Sequence, residues 1–110
     1  MADQKFDLLQ GTLDLLILKA LATGALHGWA ISKRIQQMSR EVLTVRQGSL
    51  YPALYRLEDR GLIAGADAQS AEGRRIKVYK LTPAGRRQLA EEVDAWRAFS
   101  GAMNHVIRAT

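Results

Sequence analysis

The sequence predicts an α+β fold that is mainly helical, with one small β-hairpin and a long C-terminal helix. Three observations carry this prediction. Apolar residues recur at helical spacing in the first half of the 110-residue chain, two strand-prone runs flank a polar loop, and a helical pattern continues from Pro83 almost to the end. Three helices followed by a hairpin make a winged helix-turn-helix. We expect residues 1–82 to form that unit and residues 83–110 to add a dimerisation helix.

The first two predicted helices are short and amphipathic. Apolar residues at helical spacing predict the first from about Leu8 to Ala22, with Gly24 ending it. The second opens at His27 and Gly28. Its inward-facing residues are predicted to be Ile31, Ile35 and Met38, and its outward-facing ones Lys33, Arg34, Gln37 and Arg40.

The stretch from Gln47 to Gly65 combines a basic, aromatic helix with a glycine stop and an apolar strand. Leu50, Leu54 and Leu57 recur at i, i+4 and i+7, so they form a core-facing stripe. The residues predicted to lie off the stripe, where they can reach phosphates or base edges, are Tyr51, Tyr55, Arg56, Asp59 and Arg60. Packing of the two tyrosines against neighbouring helices is the alternative.

The position of Pro52 is compatible with two different starts of this third helix. Because Pro52 lacks an amide hydrogen, it suits only the first turn of an undistorted helix. The helix therefore starts either near Ser49, or near Arg46 with a distortion.

The next segment reads as a β-hairpin. Leu62 to Asp67 and Ile76 to Leu81 are strand-prone runs, and the loop AQSAEGRR between them places Gly73 at the turn. The tip is cationic because it carries Arg74, Arg75 and Lys77. Such a basic ribbon, called a wing, suits phosphates or an adjacent minor groove.

A capping hydroxyl at Thr82 and a proline at the next position predict the start of the last helix, which continues to about Ile107. Its apolar residues follow a heptad-like spacing, wider than a small core can cover. This stripe predicts a dimerisation surface formed by Leu89, Val93, Trp96, Phe99, Met103 and Ile107. Folding back onto its own domain is the alternative.

Charge favours a polyanionic partner. Sixteen Lys and Arg against eleven Asp and Glu give a net charge of +5, and residues 74–87 hold six basic residues and no acid. A solvated basic face is the alternative. The chain lacks cysteine and a secretory signal and has no apolar run long enough to span a membrane, which predicts a cytoplasmic protein.

Catalysis and metal binding are disfavoured, and no cofactor is expected. His27 and His105 are the only histidines, and Ser49 lacks a nucleophile context. Two separated histidines cannot complete a tetrahedral metal site. A winged helix that binds protein or RNA remains the second alternative, although an exposed stacking platform for unpaired bases is missing beyond the two helix tyrosines.

Four motifs together are specific enough to indicate a family. They are GTLDLLIL at 11–18, LHGWAISKRI at 26–35, GSLYPALYRLEDRGLI at 48–63 and GRRIKVYKLTPAGRRQL at 73–89. In these motifs the chain resembles the PadR family of bacterial transcriptional regulators, in its short subfamily. Two departures are Trp29, where members often carry tyrosine, and Arg46, where they often carry a capping asparagine.

The resemblance implies a winged-helix dimer that binds operator DNA, usually as a repressor. Because one wing and one recognition helix cover only a half-site, we expect a homodimer on a pseudo-palindromic operator. It implies a recognition helix at Gln47 to Arg60, which favours the earlier helix start, a wing at Gln69 to Lys77, and dimerisation through the last helix. The residues expected to contact double-stranded DNA are Lys33, Arg46, Gln47, Ser49, Tyr51, Tyr55, Arg56, Arg74, Arg75 and Lys77.

The resemblance also bears on Trp96. In drug-responsive members of the family, a tryptophan at the matching place lines a pore and stacks on flat aromatic ligands. Trp96 therefore either binds a small aromatic effector or simply packs the dimer core.

Overall fold

The computed structural model describes residues 6–7 and 10–109. The helices are α1 (Gln10–Leu21), α2 (Gly28–Met38), α3 (Gln47–Asp59) and α4 (Pro83–Arg108). The strands are β1 (Phe6–Asp7), β2 (Leu26–His27), β3 (Leu43–Thr44), β4 (Ile63–Gln69) and β5 (Arg75–Leu81). This is the predicted winged helix-turn-helix, mainly helical with a small sheet. The predicted start of the first helix at Leu8 lies outside the described residues.

The predicted hairpin is present, and its strands extend further towards the tip than predicted, by two residues in β4 and by one in β5. β4 and β5 pair antiparallel from Ile63 opposite Leu81 to Gln69 opposite Arg75. Gly73 has a φ of +80°, which glycine adopts without the strain that a side chain would add. The turn is closed by the amide of Gly73, which donates to the Ser70 carbonyl over 2.9 Å.

Three two-residue strands were not predicted. β2 adds to the outer side of β5, with Leu26 opposite Tyr79, and makes the sheet three-stranded in the order β2-β5-β4. β1 and β3 form a separate parallel pair. Such short segments are too brief to show a period of two in the sequence.

The core lies between α1 and the faces of α2, α3 and the sheet. The leucine stripe of α3 is buried as predicted. The largest fully buried side chains of the core are Leu13, Ile17, Leu18, Leu21, Ile31, Leu50, Leu54, Leu57 and Ile63. The inward prediction for Met38 was wrong, because this residue ends α2 and is 48% exposed.

The start of α4 is fixed by Thr82, as its sequence predicts. The hydroxyl of Thr82 accepts a hydrogen bond from the Gly85 amide over 3.0 Å and donates to the Gly61 carbonyl over 2.7 Å. Gly85 packs so closely on the Leu62 carbonyl that a Cβ there would collide with it.

α4 is much longer than the core that it covers. Leu89 still packs against the core, whereas the apolar residues from Trp96 onward are exposed. The molecule is accordingly elongated, with extents of 58 × 37 × 21 Å. Among the described residues, no helix is both long and apolar enough to cross a membrane.

Candidate nucleic-acid interface

Helix α3 starts early, at Gln47. Arg46 is its N-cap residue with extended backbone angles, and its carbonyl accepts from the amides of Ser49 and Leu50 over 3.0 and 2.9 Å. Pro52 therefore lies inside the helix, as the earlier start requires. The Arg46 side chain makes no capping hydrogen bond, so this helix lacks the cap that asparagine supplies. Gln47 and Ser49 are exposed in its first turn.

The two tyrosines of α3 have different surroundings. Tyr55 is 73% exposed, whereas the ring of Tyr51 lies against the start of α2. A Cβ on Gly28 would lie 3.1 Å from Cε1 of Tyr51 and 3.2 Å from its hydroxyl oxygen. Tyr51 thus packs one side of its ring and leaves the rest of the phenol, about half of the residue, in solvent.

Arg56 does not share the open face that the sequence predicts for it. Its Nη2 donates to Oδ1 of Asp14 in α1 over 2.9 Å, and Asp14 is buried. Successive helix residues are about 100° apart, so Arg56 lies on the α1 side of the helix while Tyr55 faces outward. Its Nε is buried without a partner among the described residues. Asp14 was missed, although a lone acid inside an apolar helix stripe is a signal for a buried partner.

The wing cations also fall into two groups. Arg74 and Arg75 are exposed at the tip of the hairpin. Lys77 instead donates from Nζ to Oε1 of Glu58 over 3.0 Å, and this hydrogen bond is the main reason that the Lys77 pKa is raised. Oε2 of Glu58 accepts from the Gly65 amide over 3.2 Å. Glu58 therefore ties the last turn of α3 to both strands of the wing.

A groove of about 340 Å³ opens between the start of α2, α3 and the wing. Its lining residues are His27, Gly28, Trp29, Tyr51, Arg75, Ile76, Lys77 and Tyr79. The Nζ of Lys33, an exposed residue of α2, lies 4.6 Å from the ring centroid of Trp29. Nδ1 of His27 accepts from the Ala30 amide over 3.3 Å and caps α2. Burial raises the pKa of the Tyr79 phenol above its ordinary value of 10.0.

The predicted dimerisation residues are placed unevenly along α4. Leu89 packs against the core of its own domain and Val93 is half-buried. The four others, together with Val106, leave large apolar surfaces in solvent; they are Trp96, Phe99, Met103 and Ile107. The rings of Trp96 and Phe99 are neighbours, with centroids 6.0 Å apart.

Comparison with known sequences places the chain in a family. The profile of the Transcriptional regulator PadR-like family matches residues 17–91. Transcriptional regulator Rv3488 of Mycobacterium tuberculosis is 40% identical over 76 residues, which are 69% of this chain and 67% of that protein. An uncharacterized 37.1 kDa protein in a transposon of Streptomyces fradiae is 42% identical over 87 residues, or 79% of this chain. The match spans only 24% of that longer protein.

Solved structures agree with the sequence comparison. A transcriptional regulator from Clostridium thermocellum has a TM-score of 0.82 and 27% identity, covering 90% of this chain and 96% of that one. A PadR-like transcriptional regulator from Bacillus cereus has a TM-score of 0.78 and 28% identity, covering 93% of this chain and 97% of that one. The fold and the long match together show that the chain belongs to the PadR-like family of transcriptional regulators.

Proposed function

We propose that this regulator is a homodimeric repressor that binds pseudo-palindromic operator DNA. The observation that carries the proposal is the juxtaposition of an exposed polar face on α3 with a cationic wing tip. Gln47, Ser49 and Tyr55 are exposed on the helix, and Arg74 and Arg75 are exposed on the hairpin. A helix of this kind fits the major groove while a basic ribbon follows the phosphates.

The contacts divide into reading and positioning. Gln47, Ser49 and Tyr51 carry the sequence preference, because amide and hydroxyl groups can pair with base edges. Arg46, Arg74 and Arg75 contact phosphates, so they contribute to the salt dependence of DNA binding. Lys33 belongs to this positioning group because it is an exposed cation beside the groove.

Arg56 and Lys77 form ion pairs within the protein, so we give them other roles than direct DNA contact. Arg56 is held by Asp14, so we assign it to the support of α3 and not to base recognition. Lys77 is held by Glu58, so its part is to orient the wing, and its remaining exposure adds positive potential.

A second copy of the chain supplies the second half-site. One α3 and one wing cover only half of an operator, and a two-fold dimer matches a pseudo-palindrome. The uncovered apolar residues of α4 provide a self-complementary surface for that dimer. We expect half-sites about one or two helical turns apart.

Selection of bound fragments from a random duplex pool tests the function directly. The expected product is a pair of inverted half-sites, bound in preference to single-stranded DNA and RNA at the same salt concentration. Enrichment of a single asymmetric site that a monomer binds with full affinity contradicts the dimer, and preference for RNA contradicts the duplex.

Single variants separate reading from positioning on the selected site. Arg74→Ala should weaken cognate and non-cognate duplexes alike and lower the salt slope by about one. Gln47→Ala should cost about 1–3 kcal/mol on the cognate duplex alone. Fluorescence anisotropy across a salt series measures both effects, and a change of sequence preference in Arg74→Ala with an unchanged slope contradicts the division.

Trp96 has two candidate roles, packing in the dimer and binding a small aromatic effector. Its exposed ring beside Phe99 fits packing across the dimer axis, and it also fits stacking on a planar aromatic effector. Titration of planar aromatic compounds into a Trp29→Phe background distinguishes these roles, because Trp96 is then the only tryptophan. Quenching coupled to a change in operator affinity indicates an effector, whereas unchanged emission and affinity across a broad panel leave Trp96 as dimer packing.

A further inference from the structure

Trp29 leaves an indole in solvent at the rim of the groove between α2 and the wing. It is 51% exposed and borders the same groove as Arg75, so a bound molecule can reach both side chains. We infer that this groove holds the sugar-phosphate backbone of bound duplex DNA and that Trp29 contacts it directly. This inference rests on the proposed function and extends it to a residue outside the recognition helix and the wing.

Two side chains lie beside the indole. Lys33 Nζ lies 4.6 Å from the ring centroid, and the His27 ring is stacked nearly parallel at 6.3 Å between centroids. A cation over the face of tryptophan is attracted by the ring quadrupole. These contacts favour one orientation of the indole in the free protein, which lowers the entropic cost of ordering it on binding.

The charge of the groove selects an anion. Arg75 lines one wall and Lys33 stands beside the rim, while the charge of Lys77 on the same wall is matched by Glu58. None of the side chains that line the groove is acidic. Trp29 and Tyr51 add aromatic rings to the groove, and the indole N–H of Trp29 can donate to a phosphate oxygen. The apolar faces of the same rings suit the deoxyribose between two phosphates. The sugar-phosphate backbone of DNA offers both an anionic phosphate and an apolar sugar face.

The groove is also continuous with the proposed reading surface. Tyr51, which we assign to base recognition, lines the groove and contacts Gly28, the residue before Trp29. Arg75 belongs both to the groove and to the wing tip. Trp29 therefore shares one groove with a residue of the recognition helix and a residue of the wing.

Acrylamide quenching of tryptophan emission tests this contact in the unmodified protein. The unmodified protein and Trp29→Phe are titrated in parallel with the selected duplex, and their difference isolates the signal of Trp29. We expect the duplex to lower the quenching constant of Trp29 at least twofold. Binding of the duplex with no change in that constant overturns the inference and leaves the proposed function standing. Failure of every duplex to bind overturns both.

Affinity gives a second, independent measurement. Trp29→Ala should weaken duplex binding about tenfold, the loss expected for a hydrogen bond to a charged group, with an unchanged salt slope because no charge is removed. Lys33→Ala should lower the slope by about one. Arg97→Ala, an exposed residue of α4, is the matched control and should change neither quantity. Affinity of Trp29→Ala within twofold of the unmodified protein overturns the inference.

Discussion

Two regions of this molecule leave aromatic side chains in solvent, and their neighbours make them different surfaces. Around the groove, Trp29 and Tyr51 are accompanied by Lys33 and Arg75. On the outer half of α4, the exposed aromatic and aliphatic residues follow one another without a cation between them on the same stripe; they are Trp96, Phe99, Met103, Val106 and Ile107. Exposure alone therefore does not identify a partner. The groove suits a polyanion, and the α4 stripe suits a second apolar surface.

The two regions also differ in how they are tied to the core. Ionic contacts hold the groove side: Arg56 binds Asp14 beneath α3, and Glu58 binds Lys77 and the Gly65 amide beside it. Among the described residues, the outer half of α4 has no such ion pair. Leu89, in the first half of α4, is the last residue of this helix that packs against the hydrophobic core. Recognition of DNA needs a preorganised face, whereas the proposed dimer helix would complete its packing only against a second copy.

The largest effect is expected from a charge placed on the α4 stripe. Phe99→Glu would bury a carboxylate in the proposed dimer contact, so we expect the dimer dissociation constant to rise at least about 100-fold. Sedimentation equilibrium measures it. Ala98→Glu introduces the same charge one residue earlier, on the polar side of α4, and should leave the dimer intact. An unchanged dimer in Phe99→Glu would assign dimerisation to another surface.

Removal of Arg56 tests whether it belongs to the scaffold. Arg56→Ala leaves Asp14 buried without its partner, and we expect a loss of about 2 kcal/mol in the free energy of unfolding, below the value for a fully buried pair because Arg56 is part-exposed. Urea titration at fixed protein concentration measures the loss. Adding Asp14→Ala to the first change should cost less than the two single changes together.

Arg74→Ala is the control for this pair, since it removes an exposed arginine and should change stability by less than about 0.5 kcal/mol. If Arg56→Ala instead leaves the urea midpoint unchanged and alters only operator preference, the base-reading role predicted from sequence is the right one.

The contrast between Arg56 and the leucine stripe shows what sequence can and cannot predict. Local chemistry fixed the stripe, the Gly73 turn and the Thr82 cap, and the structure confirms all three. The Arg56 contact joins residues 42 positions apart, and helical spacing alone does not say which flank of α3 meets α1. The candidate interface follows the same rule. The exposure of Gln47, Ser49 and Arg74 was predictable, whereas the ion pairs of Arg56 with Asp14 and of Lys77 with Glu58 were not.

The groove itself was missed for a related reason. Sequence reasoning assigned His27 and Gly28 to a helix start, and the extra strand β2 that brings this start beside β5 is only two residues long. Trp29 was noted only as a departure from a family pattern. Its position opposite the wing depends on tertiary packing that no local period reports.

A methyl group at Gly28 should act on the groove alone. Gly28→Ala presses on the Tyr51 ring, whose end can move, so we expect about a fivefold loss of operator affinity with little change in stability. Anisotropy and urea titration measure the two quantities. Gly11→Ala is the matched control, because a Cβ there meets nothing within 4 Å. A large stability loss in Gly28→Ala would show that Tyr51 is locked as core and cannot adjust.

The smallest effect concerns Glu92, which is half-buried in α4 at the point where the helix leaves the core. Burial raises the pKa of its carboxyl, while Arg60 and a hydrogen bond with Gln88 oppose that rise. A carboxyl whose pKa is higher in the folded state stabilises the protein at pH below its ordinary value of 4.5 and loses that contribution as pH rises through the raised pKa.

Glu92→Gln removes this penalty, so it should stabilise the protein at pH 7 by a few tenths of a kcal/mol and have no stabilising effect at pH 4. The figure is small because solvent screens a partly exposed group. Urea unfolding at both pH values and one protein concentration measures it, with Glu91→Gln as the exposed neighbour for comparison. Destabilisation of Glu92→Gln at pH 7 would mean that the attraction between Glu92 and Arg60 outweighs the cost of burying the carboxylate. An ionic contact would then hold α4 to the end of α3 as well.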